Sequence, residues 1–352
     1  MKHLPNLYPL RFILSIFVVI FHLPGLCKTL GMPYFNASPV FNKGSLAVLY
    51  FFSLSGFLIL RLIYNELKAT EGFNFKEFYS RRIKRLYPLY YLVLLIGLSL
   101  YHFVLPLLGI PFETDYNVFH LILSYVFIIP NVFTHYHPEV GIILLIAWSI
   151  GVEEQFYLFI PVFMYLFKKK VLLSVAVLLA LLLILLVVYP ATFLYNNFYF
   201  YFLFGGLLSM LSSDQKIKIF DNKVLHIVVY ALFILSFFTD WFHFENNIAF
   251  HVFNLIVSGL TISLASDYPI YIIRSKVLDH LGKISYGIYM LHMVVITGLL
   301  FVIGKLRPYD YMNSAVFIVI LNVVALLLTI GVAHISYEYF ESRFYKEKKR
   351  AN

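Results

Sequence analysis

The chain has 352 residues, of which 61% are hydrophobic and only 13% are charged. Soluble domains carry about 25% charged residues, so this composition excludes a water-soluble fold. The formal net charge is +9, but the basic residues occur in short clusters between apolar runs, which indicates membrane topology rather than nucleic-acid binding. A single cysteine, Cys27, excludes an intramolecular disulfide, and we expect no metal site because no Cys/His cluster has zinc-ligand spacing.

Apolar stretches follow one another along the whole chain. Several approach the roughly 20 residues that a helix needs to cross about 30 Å of hydrocarbon, and they lack strand alternation. They lie near residues 8–26, 45–64, 86–105, 119–134, 142–167, 171–189, 195–212, 224–240, 248–266, 284–304 and 314–338. The first stretch follows a very short basic start and lacks a small-residue cleavage site, so we expect a retained signal-anchor helix.

The basic residues decide which of these stretches span the membrane. If all of them spanned, four basic clusters would face outward, against the positive-inside rule. If 119–134 instead dips in and returns, only four of the 27 basic residues lie outside, namely Lys28, Lys43, Lys305 and Arg307. The sequence therefore predicts an all-α polytopic helical bundle. It has about ten transmembrane helices, one re-entrant or interfacial segment ended by Pro130 and Asn131, and both termini in the cytoplasm.

Ionisable residues inside apolar stretches are costly and are the first candidates for a functional site. The first stretch carries Arg11 and His22, eleven residues apart. Helical geometry places them on one face and about 16 Å apart along the axis, with His22 past mid-membrane. His22 is a candidate general base. A structural role stays open for both, with Arg11 reaching lipid headgroups and His22 packing as a hydrogen-bonded residue.

Two adjacent carboxylates, Glu153 and Glu154, interrupt the apolar sequence AWSIGVEEQFY. Adjacent helical residues point in different directions, so both cannot face lipid at low cost. At least one is expected to face a cavity or an ion partner. A structural ion pair between helices is the alternative.

A basic cluster occurs in FYSRRIKRLYPLYYL, before the third apolar stretch. Arg82 and Arg85 are three residues apart and therefore share one side of a helix, and guanidinium groups suit bidentate phosphate contact. The pair is a candidate site for a phosphate-bearing cytoplasmic ligand. Setting topology or touching anionic lipid headgroups is the alternative.

A polar stripe begins the tenth apolar stretch, in LGKISYGIYMLH. Ser285, Tyr289 and His292 are spaced by four and three residues, so they share one helix face. Buried hydroxyl and imidazole groups often serve only as hydrogen bonds between helices. This structural reading is preferred for Tyr286.

Six motifs, in the same order, resemble bacterial acyltransferase family 3, membrane enzymes that O-acylate surface polysaccharides and related molecules. They run nearly end to end: Arg11 with His22, FFSLSGFLI with Ser55, Arg82 with Arg85, WSIGVEEQFYLFIP, LGKISYGIYMLH, and HISYEYFESRF with Ser336, Tyr337 and Glu341. The family usually has a proline after the last Glu, where this chain has Ser342. Members of the family often carry an extra SGNH-type domain after the membrane part, whereas this sequence stops at Asn352, so we expect a stand-alone transferase or one that works with a separate partner. The expected organisation is a membrane domain at 1–342 and a basic cytoplasmic tail at 343–352.

The resemblance implies an O-acyltransferase of the bacterial cytoplasmic membrane, with no permanently bound cofactor. Acyl-CoA, most often acetyl-CoA, is the expected co-substrate, with its phosphates held by Arg82 and Arg85 and its arm passing Arg11. His22 would act as general base on a hydroxyl of a carbohydrate or lipid-linked glycan, oriented by Glu153. Glu154 is the reserve candidate for that role. The alternative is that His22 carries the acyl group transiently, and no sequence feature decides between direct transfer and this intermediate.

Substrate contacts are expected from Trp148, Ser149, Ser55, Tyr289 and His292. Membrane lipids are the other expected partners, and nucleic acid is not expected. A proton-coupled transporter or glycan flippase is the rival interpretation, with His22 and the two glutamates relaying protons. That class typically shows inverted repeats with broken helices, and it gives no reason for the arginine pair.

Overall fold

The computed structural model of the protein describes residues 4–35, 38–112, 114–189 and 198–345. Within these ranges the chain is all-α, as predicted. The helices are α1 (Leu7–Thr29), α2 (Gly44–Thr70), α3 (Phe75–Ser99), α4 (Val118–Val126), α5 (Pro130–Tyr136), α6 (Ile142–Leu145), α7 (Trp148–Leu166), α8 (Val171–Val188), α9 (Tyr199–Asp214), α10 (Lys223–Phe238), α11 (Asn247–Ser266), α12 (Lys276–Lys283), α13 (Ser285–Leu306) and α14 (Ser314–Ser336). A π-helical turn extends α3 through Leu100–Val104 to Leu105–Leu107, and another extends α14 through Tyr337–Glu341 to Ser342–Tyr345.

Eight helical segments of the described ranges are long and apolar enough to cross a membrane. They are Leu7–Thr29, Gly44–Thr70, Phe75–Leu107, Ile142–Leu166, Lys168–Val188, Asn247–Ser266, Ser285–Leu306 and Ser314–Phe344. The two remaining predicted spans form the 16-residue helices α9 and α10. Part of the predicted span 195–212 precedes α9 and lies outside the described residues, as does most of the predicted tail. The polytopic helical architecture is confirmed.

The segment predicted to dip into the membrane forms two short helices. α4 ends at Val126, and neither α4 nor α5 is long enough to span. Between them Ile128 has a φ of 59°, which is rare for a β-branched residue, and the Ile129 amide donates to the Ser124 carbonyl at 2.8 Å. The prediction that Pro130 ends the segment was wrong. Proline suits the first turn of a helix because its missing N–H is not needed there, and Pro130 begins α5.

Residue contacts divide the chain into two compact units. Unit 1 comprises Met1–Val18, Ala37–Phe73 and Ser149–Gly282. Unit 2 comprises Val19–Asn36, Asn74–Trp148 and Lys283–Asn352. Each unit buries apolar side chains of its own helices.

In unit 1, helices α2 and α9 cross with their backbones in close approach. A Cβ atom at Gly56 would lie 1.9 Å from the carbonyl oxygen of Phe202. Small residues permit such approaches between membrane helices. Nearby, the Ser53 hydroxyl of α2 lies 2.8 Å from the Ser258 hydroxyl of α11. This crossing explains the glycine of FFSLSGFLI and holds the neighbouring Ser55 in place.

Ion pairs in unit 1 join helix ends that the charge-based threading puts on the same side of the membrane. At the predicted outer side, Lys43 before α2 lies 3.0 Å from Asp240 after α10. At the predicted cytoplasmic side, Lys68 near the end of α2 lies 2.7 Å from Asp214 at the end of α9. The relative directions of α2, α9 and α10 therefore agree with the predicted threading.

In unit 2, a turn at Ile146 and Ala147 separates α6 from α7, and the Ala147 amide donates to the Leu144 carbonyl at 3.1 Å. Tyrosine hydroxyls also donate to carbonyls at this turn. Tyr125 donates to the Leu144 carbonyl at 2.7 Å, and Tyr289 donates to the Ile146 carbonyl at 3.2 Å. Irregular backbone at membrane depth is tolerated only where protein or water satisfies it, and here protein does so.

Gly56→Ala is expected to destabilise the protein, because the added methyl group would overlap the backbone of α9. Overpacking typically costs about 1–3 kcal/mol or more. Gly298→Ala on α13 is the matched control, since a Cβ there meets nothing within 4 Å, and it should not lower stability because alanine favours a helix more than glycine does. Thermal melts in detergent compare the two. Equal stability of both variants would contradict the close crossing.

Candidate functional site

The imidazole rings of His22 on α1 and His292 on α13 lie next to each other in unit 2. Their centroids are 5.1 Å apart, with an angle of 35° between the ring planes. The His292 side chain is fully buried, whereas His22 is half-buried. The sequence predicted both as site residues, but on separate helices, and spacing along one helix could not predict that they meet.

A hydrogen bond determines which nitrogen of His292 carries the proton. Its Nδ1 contacts the backbone carbonyl oxygen of Tyr289 on the preceding turn. A carbonyl oxygen can only accept, so Nδ1 must donate, and in the neutral ring Nε2 is an acceptor. Nε2 is buried and has no hydrogen-bond partner among the described residues. Buried acceptors normally have a donor, which the His22 ring or a substrate hydroxyl would supply.

A cavity of about 490 Å³ lies on the same two helices, beyond the histidine pair. Its lining includes Leu26, which follows His22 by four residues, and Thr297, which follows His292 by five. Lys305, predicted to face outside, also lines it. The cavity therefore extends from near the histidines toward the predicted outer end of α13, and most of its lining is apolar.

In unit 1, Glu153 accepts hydrogen bonds from two hydroxyl groups. Ser55 of α2 donates to Glu153 Oε1 at 2.5 Å, and Tyr157 donates to the same oxygen from the next turn of α7. Glu153 is half-buried, while Glu154 is only 4% exposed. Ser55, expected to contact substrate, thus contacts Glu153. Tyr157 was not predicted, although its i+4 spacing from Glu153 places it on the same helix face.

Arg82 and Arg85 are more buried than the other two basic residues of the cluster. Arg82 and Arg85 are half-buried on α3, whereas Arg81 and Lys84 are exposed. The guanidinium of Arg82 lies 5.7 Å from the centroid of the Phe78 ring. Arg82 and Arg85 therefore pack partly against the protein, whereas the side chains of Arg81 and Lys84 are exposed.

The terminal motif packs beside Arg85. Glu341 is 5% exposed, accepts a hydrogen bond from the Ser336 hydroxyl at 2.9 Å, and is close enough to Arg85 for their charges to interact. The Tyr286 hydroxyl donates to the Leu86 carbonyl at 2.8 Å, which ties α13 to α3 at the same place. Tyr286 thus forms the inter-helix hydrogen bond expected of it.

The remaining predicted residues occupy separate positions. Arg11 is half-buried on α1 in unit 1, and Trp148 is half-buried at the start of α7. Ser149 is buried. The Tyr289 carbonyl accepts a hydrogen bond from His292, and the Tyr289 hydroxyl donates to the Ile146 carbonyl in the turn before α7. The structure therefore groups His22, His292 and Tyr289 in unit 2, and Glu153 with Ser55 in unit 1.

These features describe a polytopic membrane protein with ionisable side chains on its transmembrane helices. The chain belongs to acyltransferase family 3, whose model, described as an acyltransferase domain, matches residues 9–334. The resemblance seen in the six motifs is confirmed.

Curated relatives carry acetyltransferase names. O-acetyltransferase OatA of Staphylococcus aureus (strain NCTC 8325 / PS 47) is 25% identical over 380 residues, covering 99% of this chain and 58% of that protein. A protein of Staphylococcus aureus (strain COL) with a provisional O-acetyltransferase name is 26% identical over 388 residues, covering 100% of this chain and 59% of that protein. A provisionally named acetyltransferase of Acidianus two-tailed virus is 28% identical over 277 residues, covering 73% of this chain and 74% of that protein.

The chain spans about three fifths of the length of the staphylococcal relatives it matches. No solved structure matches it.

Proposed function

We propose that this protein transfers an acyl group, most simply acetyl, from acyl-CoA to a hydroxyl of a surface carbohydrate or lipid-linked glycan. The observation that carries the proposal is the contact between His22 and His292 inside the membrane domain of an acyltransferase family member. The acetyltransferase names of the relatives support the acetyl group and the oxygen acceptor. Family membership also favours transfer over the transporter interpretation.

The spacing between the arginine pair and the histidine pair supports a CoA donor. Tyr286 contacts the Leu86 carbonyl, beside Arg85, and lies six residues before His292 on α13. Six helical residues rise about 9 Å. Phosphates bound at Arg82 and Arg85 would then be on the order of 10 Å along α13 from the histidines. A long, thin pantetheine arm can cover such a distance and deliver its thioester there.

In the proposed reaction, His22 accepts the proton of the acceptor hydroxyl as its oxygen attacks the thioester carbonyl carbon. The oxygen–carbon bond forms, the carbon–sulfur bond breaks, and the imidazolium returns its proton to the departing CoA thiolate. His292 would hold the neutral His22 ring, or the acceptor hydroxyl, through its unshared Nε2 lone pair. The cavity beyond the pair would admit the acceptor from the predicted outer side.

His22→Ala should abolish acyl transfer, because loss of a general base typically costs about 10²–10⁴ in rate. The measurement is CoA release from acetyl-CoA by purified, folded protein. His120→Ala on α4 is the control, because His120 is exposed and lies on neither of the two helices, α1 and α13, that carry the histidine pair. Normal CoA release by well-folded His22→Ala protein would remove the proposed base.

Glu153→Gln is expected to lose more activity than Glu154→Gln. Glu153 is half-buried and accepts hydrogen bonds from two hydroxyl groups. The glutamine side chain has the same size as glutamate, but its amide is uncharged and makes different hydrogen bonds. Glu154 is nearly fully buried, and its amide variant should chiefly lower thermal stability. Ser55→Ala should reproduce part of the Glu153→Gln loss. CoA release and melting temperature, measured together, rank the variants, and the reverse ranking would move the role to Glu154.

Arg82→Ala with Arg85→Ala should weaken acetyl-CoA binding about a hundredfold, because each charge-assisted contact contributes about 1.5–3 kcal/mol. Lysine replacements should rescue only in part, since a point charge lacks the bidentate fork. Calorimetric titration measures the affinity.

The matched control is Arg81→Ala with Lys84→Ala, which removes the same charge from the exposed side of the same helix turns and breaks only the exposed ion pair of Arg81 with Glu77. Any effect of the cluster on topology should be equal in the two double variants. If both weaken acetyl-CoA binding equally, or neither does, the arginines serve topology and do not hold phosphates.

A further inference from the structure

A second cavity, here called the outer cavity, lies in unit 1 where α2 begins, α10 ends and α11 begins. Its volume is about 310 Å³, and its lining includes Asn42, Lys43, Asp240, Asn247 and Asn254. The charge-based threading puts all three helix ends on the outer side of the membrane. None of these residues belongs to the histidine pair or to the arginine pair, so the proposed transfer leaves this cavity without a role.

Asn254 gives the outer cavity an unused hydrogen-bonding atom. Its side chain is only 2% exposed, and its amide nitrogen donates to the Phe250 carbonyl at 2.8 Å. Its Oδ1 is buried and has no hydrogen-bond partner among the described residues. A buried acceptor left unsatisfied is destabilising, so this arrangement suits a ligand that donates a hydrogen bond to Oδ1.

The charges in the outer cavity favour an uncharged ligand. Lys43 and Asp240 form an ion pair at 3.0 Å, so their charges offset each other, and His243 is the other titratable side chain of the lining. The asparagines at positions 42 and 247 add amides that both donate and accept. Phe242 contributes an aromatic wall and packs against Phe253, with ring centroids 4.7 Å apart. A lining of amides, a neutral ion pair and aromatic faces matches a ligand with many hydroxyl groups and apolar ring faces.

We propose that the outer cavity binds one uncharged sugar residue of a glycan. Its volume is at the lower end of the range of ligand pockets, about 300–1,000 Å³, which fits a single ring rather than a long chain. The identification of the ligand as a sugar rests on the proposed function. The cavity and its unsatisfied acceptor are features of the structure and are independent of that function. The sugar residue of the glycan that binds here would differ from the sugar residue that is acylated.

The test uses the full-length protein in lipid nanodiscs and saturation-transfer difference NMR, which detects weak sugar binding. The probes are the methyl glycosides of glucose, galactose, mannose and N-acetylglucosamine. Asn254→Leu removes the acceptor and should weaken binding of the recognised glycoside about tenfold or more. Ser45→Phe, at an exposed position of the lining, should block entry and gives the same result without changing a buried group.

Asn322→Leu is the matched control, because the side chain of Asn322 has the same hydrogen-bonding arrangement as that of Asn254 but does not line the outer cavity. Its amide nitrogen donates to the Ile318 carbonyl at 2.8 Å and its buried Oδ1 is also unsatisfied among the described residues. Asn322→Leu should bind the glycoside as the unaltered protein does.

The inference is overturned if no glycoside gives a transfer signal, or if the signal persists in Ser45→Phe and in folded Asn254→Leu. If Asn254→Leu fails to fold, Ser45→Phe alone decides. CoA release from acetyl-CoA, measured on the same samples, tests the proposed function separately. Turnover without sugar binding here rejects only the outer-cavity site, and sugar binding without turnover rejects only the transferase.

Discussion

Lipid offers polar groups no hydrogen bonds, so those of a membrane protein are satisfied chiefly by the protein itself or by water in a cavity. Tyrosine hydroxyls act in this way at the turn before α7, where Tyr125 and Tyr289 donate to carbonyl oxygens. Ser55 and Tyr157 meet it at Glu153. Against this background, the unsatisfied Nε2 of His292 marks a place where a ligand or a neighbouring ring is expected to supply the missing donor.

Tyr289 connects two of these features. Its hydroxyl donates to the Ile146 carbonyl, and its own carbonyl accepts the Nδ1 proton of His292. The irregular backbone that precedes Trp148 is therefore linked through one residue to the histidine pair. Tyr289 and His292 lie three residues apart, so their side chains share one face of α13.

The sequence predicted the helices well, because long apolar runs and basic loops are direct consequences of membrane insertion. It also identified His22, His292, Glu153 and Arg82 as costly or clustered residues. Contacts between distant segments could not be predicted, since nothing in local spacing brings Ser55 to Glu153 or Ser336 and Glu341 toward Arg85. The course of the chain at Pro130 was predicted wrongly, because a proline both ends and begins helices.

The central claim is that the protein adds acyl groups to a carbohydrate through His22. Mass analysis of cell-surface glycans tests it most directly, in cells that lack the gene and carry either the unaltered gene or His22→Ala at equal protein levels. The account predicts acetyl-sized mass increments on one glycan class with the unaltered gene, and their loss both in the deletion and with His22→Ala. Identical glycans in all three strains, or full restoration by His22→Ala, would contradict it.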